Sequence, residues 1–230
     1  MTFSVIIPTL NEAAVIERAL IHTLGLGFDD VTVVDGGSTD DTRTLVESVA
    51  VRTGCVRLLS SAPGRARQLN VGAQACTADV LVFLHADSRL PDGARVAIEQ
   101  ALADPAVVGG RFDVRFDSTS FWGRIIGTLM NVRSRLSRIS TGDQTMFVRR
   151  TIFKRLRGFS DIPIMEDIEF SIRLKRAGDT AAIRERVTTS FRRWERQGPL
   201  RTIFLMWSLR LLYWIGVSPH RLARWYATVR

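Results

Sequence analysis

Along roughly the first hundred positions, apolar residues come in short dense runs, separated by stretches where they recur every three or four residues. Phe3 to Ile7, Val31 to Val34, Val56 to Leu59 and Val80 to Leu84 are four such runs. Each has the length of one buried strand. Between them the spacing predicts helices from Asn11-Glu12 to about Leu24, from about Asp40 to Arg52, and from Gly64 to Cys76. Short strands alternating with helices predict an α/β fold built on a mostly parallel sheet. Each polar cluster of this half then falls just after a strand's C-terminal end, the edge where open α/β sheets bind ligands.

The second half is less regular. A helix over Pro91 to Leu102 precedes a longer strand, Val107 to Phe116, and a helix over about Ser118 to Ser137 that carries Arg124, Arg133, Arg135 and Arg138. Thr145 to Val148 predicts another strand and Glu166 to Ala177 another helix. Gly198-Pro199 breaks the chain before a last helical region, Leu200 to Val217, which is apolar around most of its circumference. Arg201 and Arg210 interrupt it, so it falls short of the about 20 apolar residues that a membrane span needs. Packing on its own domain, a homodimer interface and an anionic membrane surface are all open to it; aromatic residues with flanking Arg suit the last. The expected organisation is one domain over 1–195, with halves meeting near 105, and a C-terminal helical extension over 196–230.

Composition adds charge to this picture. The 230 residues, 46% hydrophobic, suffice for a core, and 32 Lys and Arg against 23 Asp and Glu give +9, mostly from residues after 110. Such a balance suits nucleic acid, an anionic membrane or a phosphorylated ligand. Cys55 and Cys76 show no CxxC spacing, so both are expected to be reduced, buried thiols. The opening MTFSVIIPTLNE lacks the basic start and apolar core of a signal peptide, so a cytoplasmic location is expected.

Three acidic clusters carry candidate chemistry. Asp35-Gly36-Gly37-Ser38-Thr39-Asp40 follows a strand, and its glycines let the backbone approach a flat ligand; it serves equally as a plain helix-capping turn. His85-Ala86-Asp87 ends another strand, where Asp87, and His85 less directly, can hold Mg²⁺ or Mn²⁺ with a diphosphate completing the shell. Glu166-Asp167 opens a helix, as a complement to the macrodipole or as a general base. Gly142-Asp143-Gln144 could line the same cleft, and Arg65 and Arg67 lead a helix whose amides and guanidinium groups suit a diphosphate. No strand is followed by GxGxxG and no Walker lysine is present, which weighs against a dehydrogenase and a P-loop NTPase.

In their order along the chain these segments resemble family 2 inverting glycosyltransferases of the A-type fold. The resemblance rests on SVIIPTLNE, VVDGGSTDDT, GRARQLNVGA, LVFLHADSRLP, MEDIEF and RRWERQGPLRT, and so covers nearly the whole chain. GRARQLN, HAD in place of DxD, GDQTMFVRR and RRWERQG are most similar to the compact bacterial group labelled arsenosugar-biosynthesis glycosyltransferases. The resemblance implies that Pro8, Thr9, Asn11 and Glu12 line the nucleotide pocket, that Asp35 with Gly36 meets the base, and that Arg67, Asn70 and Ala86 lie near the nucleotide-sugar. It implies Asp87 as the holder of a divalent metal, with His85 where DxD has its first Asp, and Asp167 as catalytic base with Glu166 beside it. Gly142, Asp143 and Gln144, with Arg193-Trp194, would face the acceptor or diphosphate. Arg193-Trp194 matches only the end of QxxRW, since residue 190 is Ser, and a single sugar transfer is expected rather than polymerisation. The expected partners are a nucleotide-sugar (UDP first, GDP next) and a hydroxyl acceptor, without nucleic acid. A nucleotidyltransferase and a basic nucleic-acid or membrane-surface binding module are the alternatives. PTLNEAA offers the first no Gly-rich triphosphate loop, and the second leaves the acidic clusters unexplained.

Overall fold

The computed structural model describes residues 1–229 and holds one eight-stranded sheet. Strands β1 (Phe3–Thr9), β2 (Asp30–Asp35), β3 (Val56–Ser60) and β4 (Val80–Phe83) run parallel in the order β3-β2-β1-β4. Helices α1 (Ile16–Leu24), α2 (Thr42–Thr53) and α3 (Arg65–Ala75) make the crossovers. After β3 the chain passes back over β1 to lay down β4, so the strand order reverses between β1 and β4. The crevice at that reversal is where sheets of this kind take ligands.

Beyond β4 the sheet becomes mixed, which completes the arrangement of a glycosyltransferase A-type fold. Strand β7 (Met146–Arg149) is antiparallel to β4 and to β6 (Val107–Phe116), while β8 (Asp179–Thr189) runs parallel to β6. The two-residue β5 (Ser88–Arg89) closes the edge against β8. The two halves expected from the sequence thus share a single sheet. Helices α4 (Ala94–Ala101), α5 (Phe121–Ser137), α6 (Arg150–Arg155) and α7 (Glu166–Ala177) cover it, and α8 (Arg192–Gln197), α9 (Pro199–Trp214) and α10 (Pro219–Val229) follow. The boundary expected at 195 falls inside α8.

The central strands read as unbroken apolar runs because both faces are covered. Phe3, Val5 and Ile7 of β1 pack on one face with Ile16, Leu20 and Val46, whereas Ile6 packs on the other with Leu69, Phe153 and Phe170. Helix α3 comes so close that a Cβ at Gly72 would collide with Ile6. A third small cluster of Phe116, Ile126 and Phe191, joined by Trp194 and Ile203, ties α5, α8 and α9 to the end of β6.

Several expectations change. Helix α1 begins at Ile16, not at Asn11-Glu12: Asn11 is left-handed (φ 56°), and the Glu12 carbonyl accepts from the N–H groups of Val15 and Ile16 in a turn. Helix α5 starts at Phe121, where the Ser120 hydroxyl accepts from the Trp122 N–H. Cys76 is buried as expected but Cys55 is exposed, beside the left-handed Gly54 that ends α2. Helix α9 buries only Thr202 and Leu209, leaving Leu200, Phe204, Trp207, Leu211 and Trp214 exposed. Among the described residues no helix is long and apolar enough to cross a membrane.

Candidate active site

Two βα turns form one wall of the crevice. Asn11 Oδ1 accepts from the Thr39 N–H (2.9 Å), the Asn11 N–H donates to Ser38 Oγ (2.9 Å), and the Glu12 N–H donates to Thr42 Oγ1 (2.8 Å). Gln68, which the sequence reading passed over, completes the lock: its buried amide donates to the carbonyls of Thr9 (2.8 Å) and Val34 (2.9 Å). Its signal was its place in GRARQLN, one turn after Arg65. Pro8, Thr9, Asn11, Glu12, Asp35 and Gly36 therefore do sit together. Asp35, however, turns inward, with its side chain 1% exposed. It accepts from the N–H groups of Gly37 and Ser38 (3.0 Å each), the Ser38 hydroxyl and Arg43 (3.3 Å). Burial pushes this carboxyl up, but those hydrogen bonds outweigh it and hold it below the usual carboxylate range.

At the end of β4, Ala86 is buried in the core while His85 and Asp87 are partly open. His85 Nδ1 lies 3.4 Å from Asp143 Oδ1, and Gly142 packs so closely on the ring that a Cβ would collide with Nε2. The imidazole is thus positioned by the 3₁₀ turn Gly142–Gln144. Asp87 accepts from the Ser88 hydroxyl at 3.5 Å. Burial and the nearby Asp87 push the Glu12 carboxyl up, so two acids crowd one place. Among the described residues no three His, Cys, Asp or Glu form a ready-made metal cage. One or two carboxylates with substrate phosphates and water is nevertheless the usual way of holding Mg²⁺, and Asp87 beside Glu12 fits it.

The opposing wall is the head of α7. Met165 takes a left-handed conformation (φ 69°), and Glu166 and Asp167 follow it at the start of the helix. Asp167 Oδ2 accepts from the Gly142 N–H (2.8 Å) and Oδ1 from the Ile168 N–H (2.7 Å). Glu166 is buried, 3.4 Å from Arg65 Nη1; burial and Asp167 push its carboxyl up, and Arg65 only partly offsets them. Arg65 loses some stability as a cation to desolvation, but Glu166, Asp167, Asp143 and Asp87 more than compensate. It is the common counter-charge of the site. Burial raises the Asp143 carboxyl, yet His85, Arg65 and Arg193 bring it below its ordinary value. Arg65, His85, Gly142, Glu166 and Asp167 line one pocket, floored by Leu69, Phe83, Met146 and Phe159.

The remaining expected residues have partners of their own. Gln144 is fully buried, closing a capping box with Thr141 and reaching Asn131 (3.4 Å); it shapes the turn rather than facing the cleft. Asn70 clamps the backbone of Phe159 through both amide atoms (2.8 and 2.9 Å), and Arg67 pairs with Asp161 (2.8 Å). Both side chains tie α3 to the loop before α7. Trp194 stacks on Phe191 (6.2 Å) and meets Phe116 edge-on, and Arg193 lies over the Tyr226 ring (4.9 Å). The charges of α8 reach the site, Arg193 acting on Asp143 and Arg192 on Glu12.

The chain is similar to known proteins. It is 33% identical over 182 residues to a PGL/p-HBAD biosynthesis glycosyltransferase of Mycobacterium bovis, covering 74% of this chain and 68% of the relative. Among solved structures it superposes on a mannosyltransferase from Pyrobaculum calidifontis in complex with GDP-Man and Mn²⁺ at a TM-score of 0.63, with 25% identity over 81% of this chain. It spans 56% of that mannosyltransferase's length. Staphylococcus aureus TarS 1–349 in complex with UDP-GlcNAc shares the fold at a TM-score of 0.64 and 20% identity, covering 83% of this chain and 58% of TarS 1–349. The family model described as "Glycosyl transferase family 2" matches residues 4–157, and that span contains both βα turns, His85-Ala86-Asp87 and the Gly142–Gln144 turn. The chain belongs to glycosyl transferase family 2.

Proposed function

We propose that this glycosyltransferase moves a single sugar, with inversion, from a nucleoside diphosphate donor to an acceptor hydroxyl. The observation that carries the reading is the placement of Asp167, held by the Gly142 N–H, in one pocket with His85 and Arg65 at the mouth of the β1/β4 crevice. In the reaction the acceptor oxygen bonds to the anomeric carbon as the bond from that carbon to the diphosphate oxygen breaks. The electron pair leaves with the nucleoside diphosphate, and the acceptor's proton passes to Asp167. Glu166, buried and paired with Arg65, is the positioning partner of this base.

The donor nucleotide lies along the wall from Pro8 to Glu12 and over Gly36, with Asp35 shaping that turn from within. UDP-sugars come first and GDP-sugars next; the GDP-Man complex of the Pyrobaculum mannosyltransferase supports keeping the second. Asp87, with Glu12 or His85 close by, would hold a divalent cation, which when bound supplies positive charge against the leaving diphosphate. Arg65 and the arginines of α8 supply further positive charge at the same place. We assign residues 1–195 to the catalytic domain and 196–230 to a helical extension. We place the chain in the compact group labelled for arsenosugar biosynthesis without carrying that label over to its substrate.

The extension is assigned to an anionic membrane surface. From residue 190 onward the chain has eight Arg and one acid, Glu195. The exposed stripe of Leu200, Phe204, Trp207, Leu211 and Trp214 lies on that basic segment. Apolar burial with electrostatic attraction to anionic lipid is the chemistry of an interfacial helix. A homodimer through the same stripe is the competing outcome.

The deciding experiment is thermal shift against UDP, GDP, CMP and dTDP with Mn²⁺, Mg²⁺ or EDTA. A ligand at a hundredfold excess over its Kd stabilises the folded state by about 2.7 kcal/mol. A metal-dependent shift with one nucleoside diphosphate, lost in Asp87→Ala, is expected. Absence of any shift would overturn the donor assignment.

A further inference from the structure

A second concavity, of about 260 Å³, opens where the last turns of α5 meet β6, β8 and α7. A single water needs only about 10–15 Å³ of such space, so the concavity is that of a small molecule. Arg111, Arg135 and Arg138 line it together with Ser134. Asp113 sits between two of the guanidinium groups, accepting from Arg111 Nη1 (2.9 Å) and Arg135 Nη2 (2.8 Å), while Arg138 Nη2 donates to Asp179 (2.9 Å). Three guanidinium groups against two carboxylates leave an excess positive charge.

The internal partners also run out. The Arg111 side chain is 5% exposed, yet among the described residues its Nη2 has no hydrogen-bond partner, and neither has the buried hydroxyl of Ser134. A buried cationic donor without an acceptor is costly, and native interiors seldom leave one. An anion with several acceptor oxygens would satisfy both groups, and the planar fork of Arg matches phosphate.

We propose that this concavity binds a small phosphate-bearing ligand through Arg111, Arg135, Arg138 and Ser134. The site is separate from the crevice that takes the donor, but it adjoins the catalytic wall. The Ser171 hydroxyl, on its rim, meets the Ser140 hydroxyl (2.9 Å) and donates to the backbone carbonyl of Asp167 (2.7 Å). An occupant would therefore rest against the turn of α7 that carries the base.

The test is calorimetric titration of the full chain with inorganic phosphate at constant ionic strength, with and without a saturating nucleoside diphosphate. Phosphate is expected to bind in both cases. Its Kd should weaken at least tenfold in Arg138→Ala, whose side chain is 44% exposed and dispensable for the core, and severalfold in Ser134→Ala. Nucleoside diphosphate binding should stay at the parent value in both variants. Glycerol 3-phosphate binding as well as phosphate would identify a phosphomonoester ligand, and phosphate alone the free ion; either supports the site. No phosphate binding, binding unchanged in both variants, or competition by the nucleoside diphosphate would overturn it. Because phosphate is titrated alone, the result is readable even if no nucleoside diphosphate binds.

Discussion

The backbone N–H of Gly142 donates to Oδ2 of Asp167 at 2.8 Å, so a 3₁₀ turn at the end of α5's loop aims the carboxylate at the head of α7. With Oδ1 held by the Ile168 N–H, the group is oriented by two donors and keeps lone pairs free for a proton. Asp167→Asn preserves the shape and removes the basicity. Its kcat is expected to fall by about 10²–10⁴-fold while the donor Kd stays near the parent value. Steady-state kinetics beside calorimetry measures both, using donor hydrolysis where no acceptor is known. An equal loss in the two would refute the base.

Gly142 also leaves room for His85. Gly142→Ala drives a methyl group into the imidazole, and the expected cost is about 1–3 kcal/mol of stability together with lost turnover. Adding His85→Ala removes the collision. Denaturant unfolding of the four proteins in this cycle should give a coupling of at least about 0.5 kcal/mol, and additive effects would mean the two residues do not press on each other.

Asn70 offers a test of clamp against ligand. Asn70→Ala strands the N–H and carbonyl of Phe159, for an expected loss of about 1–3 kcal/mol. Well below the melting temperature the donor Kd should be unchanged. Weakened donor binding at unaltered stability would instead make Asn70 a donor contact.

Burial, seconded by Asp167, holds the Glu166 carboxyl above its ordinary 4.5. The folded chain therefore keeps a proton that the unfolded chain has released, and stability falls as pH rises through the interval above 4.5. Glu166→Gln escapes this loss. Its Tm should exceed the parent's at about pH 7, with the gap closing as pH approaches about 4. A gap independent of pH would show that the buried charge costs nothing.

Trp207 and Trp214 stand exposed on α9 and test the membrane assignment. Burying one such side chain in lipid is worth about 1.5–3 kcal/mol, or roughly ten- to a hundredfold in affinity per substitution. Each Trp→Ala variant should sediment that much less with phosphatidylglycerol vesicles, and neutral phosphatidylcholine should capture the parent poorly. A parent that ignores both vesicles and dimerises through α9 would overturn the assignment.

The parallel half was legible because a strand covered on both faces must be apolar at nearly every position, as β1 is. β8 escaped notice for the opposite reason. Its DTAAIRERVTT buries only Ile183, Val187 and Thr189, and it is held by pairing along β6 rather than by an apolar pattern of its own. Local turn chemistry was partly legible too: Asp35 ends a strand and Asp167 lies at the start of a helix, much as the residue types announced.

By itself, then, the sequence determined the alternation of strands and helices and the acids waiting at strand ends and a helix start, since periodicity and local turn chemistry act over a few residues. Tertiary structure decided the direction of each side chain. Arg65 meets acids from three distant segments and Asn70 holds Phe159, because these contacts join segments brought together only when the sheet and α7 close on one another. Long-range contacts of this kind leave no periodic trace, and so no local pattern could have announced them.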